Sequence, residues 1–328
     1  MAKQNKVVII GKHPAFLEAL EVAETAARKG VKNILLIGET GTGKEVFARF
    51  IHEKSDRAHG PFIPVDCSTI PESLLEAELF GYVKGAFTGA VKSRKGLVGL
   101  ADGGTLMIDE IGNMPINVQN KLLRFLETRR YRAIGASYET EVDVRIIAAT
   151  NIDLTKLTEK GDFRSDLYYR LSTITIVIPP LRERGDDIIL LAEYFLKKFA
   201  KEYNMRKKKL SEDAIEKLMS YKWPGNVREL RNTIESAVLM SEGEEITADD
   251  IILRPVGIKE PIETTSSLMD EDKIILKFDI KDFNMENVER AVIIEALKYT
   301  KWNKKQAAKI LGISRMNLIR KIKKYGIE

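Results

Sequence analysis

An apolar run at 33–37 passes directly into Gly38-Glu39-Thr40-Gly41-Thr42-Gly43-Lys44-Glu45, and from there into a helical pattern at 45–53. Few folds accept this succession, because a strand must end on a loop tight enough to need glycine and the loop must open a helix at once. In that setting the glycines let successive backbone N–H groups turn inward on phosphate oxygens. The helix N-terminus adds its positive dipole end, and Lys44 reaches the β- and γ-phosphates. The ligand implied is a nucleotide bearing β- and γ-phosphates, with Gly38, Glu39, Thr40, Gly41, Thr42, Gly43, Lys44 and Glu45 as its binding residues. Glu45 stands where Ser or Thr normally gives Mg2+ a hydroxyl; a carboxylate there reaches the metal directly, through water, or not at all.

Four further runs read as buried strands, 62–65, 105–108, 144–149 and 174–178, each short, apolar and bounded by turn residues. Helical patterns such as 117–127 lie between them, so the expected architecture is α/β with a mostly parallel sheet covered on both faces. From Asp186 onward the strands stop, and 187–203, 211–221 and 226–241 read as three amphipathic helices, with Pro224-Gly225 as a sharp turn. Residues 254–282, with Pro255, Pro261 and a polar run at 263–267, read as a linker in which 273–280 is a candidate strand. A last helical block follows. The expected division is a stub at 1–11, an α/β unit at 12–180, a helical subdomain at 181–253, a linker at 254–283 and an all-α domain at 284–328.

The run at 105–108 ends in Asp109 and Glu110. In a parallel sheet this end lies beside the phosphate loop, where ligands bind. Asp109 is placed to hold Mg2+ and Glu110 to orient and polarise the attacking water, and both are candidate metal residues.

Composition narrows the setting. The apolar fraction is 44%, ordinary for a soluble globular chain, and no stretch approaches the roughly 18 apolar residues that span a bilayer. The start has Lys3 and Lys6 and then only a short apolar run, too short for a signal peptide. Cys67 is the single cysteine, so an intramolecular disulfide is impossible; a reducing cytoplasm and no membrane partner are expected. The net charge of +5 is unevenly placed, because 285–328 carries 11 Lys and Arg against 4 Asp and Glu. Such a segment neutralises phosphates and releases counterions, which points to nucleic acid.

That segment has a pattern. One helix at 289–298 carries Ala291, Ile294 and Leu297 on a face; a second at 304–311 turns Ala307, Ala308 and Leu311 inward. Gly312-Ile313-Ser314 is a tight turn, with Gly312 free to take positive φ and Ser314 to cap the next helix. The third helix, 315–325, turns Leu318, Ile319 and Ile322 inward and presents Arg315, Asn317, Arg320, Lys321 and Lys324. This is a helix-turn-helix. Arg315 and Asn317 suit base edges, and Lys321 and Lys324 suit phosphates.

Glu78-Leu79-Phe80-Gly81 and then Gly85-Ala86-Phe87-Thr88-Gly89-Ala90 resemble the signature of the sigma-54-dependent activators, the bacterial enhancer-binding proteins, which are AAA+ ATPases. The resemblance runs from about Ile10 to Asp250 and includes 144–151, 163–171, 179–184 and 223–230, and the C-terminal block resembles a Fis-type DNA-binding domain. It implies an AAA+ P-loop sheet with a helical lid, followed by a small all-α domain. It further implies that Asn151 senses the γ-phosphate, that Arg164 and Arg170 are arginine fingers reaching a neighbouring subunit's site, and that Arg228 is the second sensor on the lid. A site completed in trans implies a hexameric ring with dimeric DNA-binding domains, in a bacterial cytoplasm, acting on the sigma-54 factor of RNA polymerase and on double-stranded enhancer DNA. Gly85, Ala86, Phe87, Thr88, Gly89 and Ala90 are the residues the resemblance assigns to sigma-54. Small neighbours cannot bury Phe87 locally, so its ring is expected exposed at a flexible loop tip. The family often carries an N-terminal sensory domain, and with the resemblance starting at about Ile10 none is expected within this sequence.

Three positions depart from the family pattern: Asp66 replaces an Asn that restrains the catalytic Glu, Val98-Gly99 replaces Phe-Glu, and Tyr82-Val83 replaces His-Glu. A carboxylate at 66 is expected to repel Glu110. Two rival readings are a different AAA+ machine, such as a helicase loader or DNA remodeller, and a DNA-binding repressor that uses nucleotide only to assemble.

Overall fold

The structure, a computed structural model, describes residues 8–205, 208–241, 243–253, 285–300 and 302–327. The expected linker and its candidate strand lie outside the described residues. The chain divides into two units, 1–258 and 259–328.

In the first unit five parallel strands form one sheet: β1 (Asn33–Ile37), β2 (Phe62–Asp66), β3 (Thr105–Asp109), β4 (Arg145–Thr150) and β5 (Ile174–Val177), ordered β2-β3-β4-β1-β5. All five match the expected runs, β1 without change and the other four with one or both ends shifted by a residue, though the edge strands β2 and β5 are only partly buried because each has a neighbour on one side alone. Their side chains alternate between two cores, as the two-residue period of a strand requires. Ile34, Leu36, Met107, Ile147, Ala149 and Ile176 pack with α1 (Pro14–Arg28) and α2 (Lys44–Glu53). Leu35, Val65, Leu106, Ile108, Ile146 and Ala148 pack with α3 (Glu72–Phe80), α4 (Ile116–Thr128), α5 (Leu154–Lys160) and α6 (Ser165–Leu171). The order of strands brings the carboxyl ends of β3, β4 and β1 side by side.

The helical subdomain packs α7 (Asp187–Glu202), α8 (Glu212–Ser220) and α9 (Asn226–Met240) around Trp223. Trp223 is fully buried, its indole N–H donates to Leu218 O at 2.8 Å, and its ring meets Tyr221 edge-on at 5.0 Å. Strands do not stop entirely at 186: Lys209–Leu210 pairs in parallel with Glu245–Ile246, a two-residue ladder too short to leave an apolar run in the sequence.

The second unit is three helices, α10 (Met285–Tyr299), α11 (Lys304–Ile310) and α12 (Arg315–Tyr325). Asn303 caps α11, Ser314 caps α12 by accepting from Asn317 N–H at 3.2 Å, and Gly312 takes φ +65°. Two details differ from the expected faces. The buried stripe of α10 runs through Ile293, Ala296 and Leu297, not Ala291, and Ile319 on α12 is 37% exposed. Both follow from helix rotation of about 100° per residue: stripes centred on Leu297 and Leu318 leave Ala291 and Ile319 at the margin.

Candidate functional site

The phosphate loop is held from both ends. Gly38 N–H donates to Thr150 O at 3.1 Å, which fixes the loop to the end of β4. Gly41 and Gly43 take φ +82° and +103°, values that favour glycine, and Gly43 is the N-cap of α2. Thr42 Oγ1 donates to Glu39 O at 2.8 Å. Lys44 is 6% exposed; its Nζ donates to Gly38 O at 3.1 Å and lies 3.4 Å from Glu110 Oε1.

The acidic strand end meets this loop. Asp66 and Asp109 are register partners at the carboxyl ends of β2 and β3. Asp109 Oδ1 accepts the Glu110 N–H at 3.0 Å. Burial pushes the Asp109 carboxyl above its ordinary range, aided by Glu110 and Asp66 and opposed by its bond from the Glu110 N–H and by Lys44. Glu110 takes φ +48°, and its Oε2 accepts the Asn151 N–H at 3.3 Å. Asn151 Nδ2 in turn donates to Thr40 Oγ1 at 2.8 Å. The density of negative charge shows at the neighbouring Cys67, whose thiol is pushed up to about 12 by burial first and then by Asp66, Asp109 and Glu110.

A cleft of about 640 Å³ opens over the loop. Thr40, Gly41, Thr42, Gly43, Lys44, Glu45, Asp109, Glu110 and Arg228 line it, with Ile9, Ile10, Phe16, Leu191, Tyr194 and Phe195 as an apolar wall. Arg49 donates from Nε and Nη2 to Glu45 Oε1 at 2.9 and 2.7 Å. Among the described residues no group of three or more His, Cys, Asp or Glu side chains is arranged to hold a metal alone. The hard oxygens of Asp109 and Glu110 nonetheless fit Mg2+, which takes one or two carboxylates together with substrate phosphates and water.

Several residues that build the cleft carried no role in the sequence reading. Arg182 forks onto Glu39, and the buried Asn226 bonds both Glu39 and Thr40 O. Arg184 and Asp187 form a buried pair at 3.0 Å. Asp187 Oδ1 accepts the N–H groups of Lys12 and His13 at 2.7 and 3.2 Å, while Arg184 donates to Ile10 O at 2.9 Å and rests 3.8 Å over Phe16. This pair fastens the apolar wall to the lid. The runs 179–184 and 223–230 drew notice as sequence, but nothing local names their partners, which lie more than 140 residues away.

Arg164 and Arg170 lie outside the cleft of their own chain. Arg164 forks onto Asp166 at 3.0 and 2.6 Å, and Arg170 donates to Leu126 O at 3.4 Å. The segment 85–90 is a compact turn closed by Gly85 N–H to Ala90 O at 2.9 Å. Phe87 is 44% exposed, but its ring is not free: it packs edge-on against Tyr82 at 5.0 Å, so the stem supplies one wall that the small neighbours do not.

The departing positions also find local causes. Asp66 accepts from Ser68 N–H and Oγ at 2.8 and 2.6 Å, so its carboxylate is engaged there while Glu110 is held by Lys44 and Asn151. A Cβ on Gly99 would stand 2.2 Å from Tyr131 Oη, so Tyr131 fills the space a Glu side chain would need. In the second unit Arg315, Asn317, Arg320 and Lys324 are exposed along α12. Lys321 is half-buried and paired with Glu289, which also accepts from Tyr325 Oη.

Three family models match the chain: the Sigma-54 interaction domain at 9–177, the AAA+ ATPase lid domain at 182–263 and the bacterial regulatory protein, Fis family, at 284–325. The regulatory protein AtoC of Escherichia coli K12 is 46% identical over 300 residues, covering 90% of this chain and 63% of that protein. The DNA-binding transcriptional regulator NtrC of Proteus hauseri is 41% identical over 332 residues, covering 98% and 70%. The chain spans less than two thirds of the length of several curated relatives that it matches. NtrX from Brucella abortus, solved with ADP, superposes with a TM-score of 0.74 at 32% identity over 98% of this chain and 70% of that one; its complex with ATP gives 0.73. Among the described residues no helix is long and apolar enough to cross a membrane. With its phosphate loop, acidic strand end and lid assembled on one parallel sheet, this chain belongs to the sigma-54 activator family, whose members join a Sigma-54 interaction domain to an AAA+ lid and a Fis-type helix-turn-helix.

Proposed function

We propose that this chain is an ATPase that activates transcription by remodelling the closed complex of sigma-54 RNA polymerase into the open one. The observation that carries the reading is the meeting of Lys44, Asp109, Glu110, Asn151 and the glycine loop at three adjacent strand ends under Arg228. Loop N–H groups bind the phosphates of ATP, and Lys44 supplies positive charge at the β- and γ-positions. Asp109, with Glu110, would hold Mg2+, which would supply positive charge against the phosphates. Glu110 orients the water that attacks the γ-phosphorus in line, and Asn151 senses that phosphate from the end of β4.

Arg164 and Arg170 act as fingers toward a neighbouring copy, where positive charge at the developing transition state is worth about 10³–10⁵ in rate. Arg164 leaves Asp166 to do so. The active form is therefore a ring, read as a hexamer. Gly85, Ala86, Phe87, Thr88, Gly89 and Ala90 contact sigma-54. Arg315 and Asn317 read base edges of enhancer DNA, and Arg320, Lys321 and Lys324 meet phosphates. For Lys321 this means exchanging Glu289 for a phosphate. The boundaries 12–180, 181–253 and 284–328 divide these tasks in a bacterial cytoplasm.

The test is open-complex formation by purified sigma-54 polymerase with ATP. Phe87→Ala and Thr88→Ala are expected to bind ATP normally and form no open complexes, and Glu110→Gln to bind ATP without hydrolysis or activation. Transcriptional control left unchanged by Glu110→Gln would instead support a DNA-binding repressor that uses nucleotide only to assemble.

A further inference from the structure

Glu39 sits in the phosphate loop, but its side chain faces the lid. Its carboxylate takes a fork from Arg182, at 2.6 and 2.8 Å, and a further bond from Asn226 Nδ2 at 3.1 Å. The same Asn226 amide donates to Thr40 O at 3.0 Å, and its oxygen accepts the Leu181 N–H at 2.8 Å. Val227 N–H donates to Gly41 O at 3.0 Å. Asn226 is fully buried and holds φ +52°, a backbone conformation that costs energy outside glycine and persists only where the surroundings fix it. Arg182 lies where the chain leaves β5 for the lid, and Asn226 opens α9, so the entry to the lid and the start of its third helix close on one carboxylate.

Arg228 is two residues beyond Asn226, on the first turn of α9, and lines the cleft. Its Cβ lies 3.1 Å from the position a Cβ on Gly41 would take. The height of Arg228 over the phosphate loop is therefore set by bonds that do not include its own side chain. The fork also holds the Glu39 carboxyl below its ordinary range, with the Arg182 hydrogen bond as the largest cause.

We propose that Arg182 is a positioning residue: with Asn226 it uses Glu39 to fasten the lid to the phosphate loop, and this fixes Arg228 where it meets the nucleotide phosphates. The inference rests on the nucleotide-binding reading above and adds a residue that touches no nucleotide itself.

The test is a double-mutant cycle on the full chain, read as ADP affinity by calorimetric titration. Arg182→Ala is expected to weaken ADP binding about three- to tenfold, the range for a charge-assisted bond at a half-exposed site. In an Arg228→Ala background the same change is expected to cost less than about twofold, because contacting pairs that act through one another fail to add. A merely structural role gives the same factor in both backgrounds, and that result overturns the proposal, as does an unchanged affinity in Arg182→Ala alone. If Arg182→Ala does not fold, Arg182→Lys, which keeps the charge and loses the fork, carries the same comparison at smaller size. A wild-type chain that binds no ADP refutes the nucleotide reading itself, whereas intact wild-type binding with multiplying factors refutes only the positioning role.

Discussion

Gly41 and Gly103 make a matched pair for testing how closely the lid sits on the phosphate loop. Their φ values are +82° and +75°, so an alanine at either site carries a similar conformational cost, about 1 kcal/mol. At Gly103 a Cβ meets nothing within 4 Å, and the cost ends there. At Gly41 it would stand 2.2 Å from Gly225 O, and backbone oxygen cannot swing aside. The loop and lid must part by roughly 1 Å to restore van der Waals contact. Of the bonds that join loop and lid, the two to the backbone at this point are Val227 N–H to Gly41 O and Asn226 Nδ2 to Thr40 O, both 3.0 Å. Losing one or both at roughly 0.5–1.5 kcal/mol each brings Gly41→Ala to about 2–4 kcal/mol. Since about 1 kcal/mol lowers Tm by roughly 2–4 °C in a domain of this size, calorimetry without nucleotide should show Gly103→Ala falling by a few degrees and Gly41→Ala by roughly 5–15 °C. Equal shifts for the two variants would refute the close approach.

Two further expectations concern buried groups. The Cys67 thiol, 4% exposed and pushed up to about 12, holds a thiolate fraction of about 10⁻⁴ at pH 8; a thiol reagent should leave the native chain unlabelled and modify it fully in denaturant, and rapid native labelling would contradict the burial. His52 is buried, and its Nδ1 lies 2.9 Å from Thr105 Oγ1. Burial first, then Arg145, holds its imidazole below the ordinary value. A depressed folded value means that its contribution is intact above the unfolded value of about 6.5 and is lost as pH falls through the folded one. Urea midpoints between pH 7.5 and 5.5 should therefore fall more steeply for wild type than for His52→Gln, and parallel slopes would exclude the effect.

What the sequence disclosed depended on range. The three central strands were legible because strands buried on both faces read as continuous apolar runs, and the partly exposed edge strands β2 and β5 because short apolar runs there are bounded by turn residues. Gly38 to Lys44 and Asp109-Glu110 were legible because each motif is contiguous. Their meeting required only the rule that ligands gather at the carboxyl ends of parallel strands. The fork from Arg182 to Glu39 and the tie from Asp187 to Lys12 were not legible, since they join residues 143 and 175 apart and no local pattern specifies a partner. The stripe of α10 was misplaced by a fraction of a turn because Ala291, Ile293, Ile294 and Ala296 offer two nearly equivalent apolar faces, and only packing on α11 and α12 decides between them. The Phe87 environment was half read: small neighbours left it exposed, but its contact with Tyr82 depends on how the loop folds onto its stem.

The central claim is that ATP bound by one chain is split with help from a second. ATP hydrolysis per chain, measured against protein concentration for wild type and for Arg164→Ala, tests it directly. The account predicts a wild-type rate per chain that climbs with concentration to a plateau, and a variant that binds ATP yet stays at least about 10³-fold below that plateau at every concentration. A rate per chain that is flat across the same range and unaffected by the substitution would contradict it.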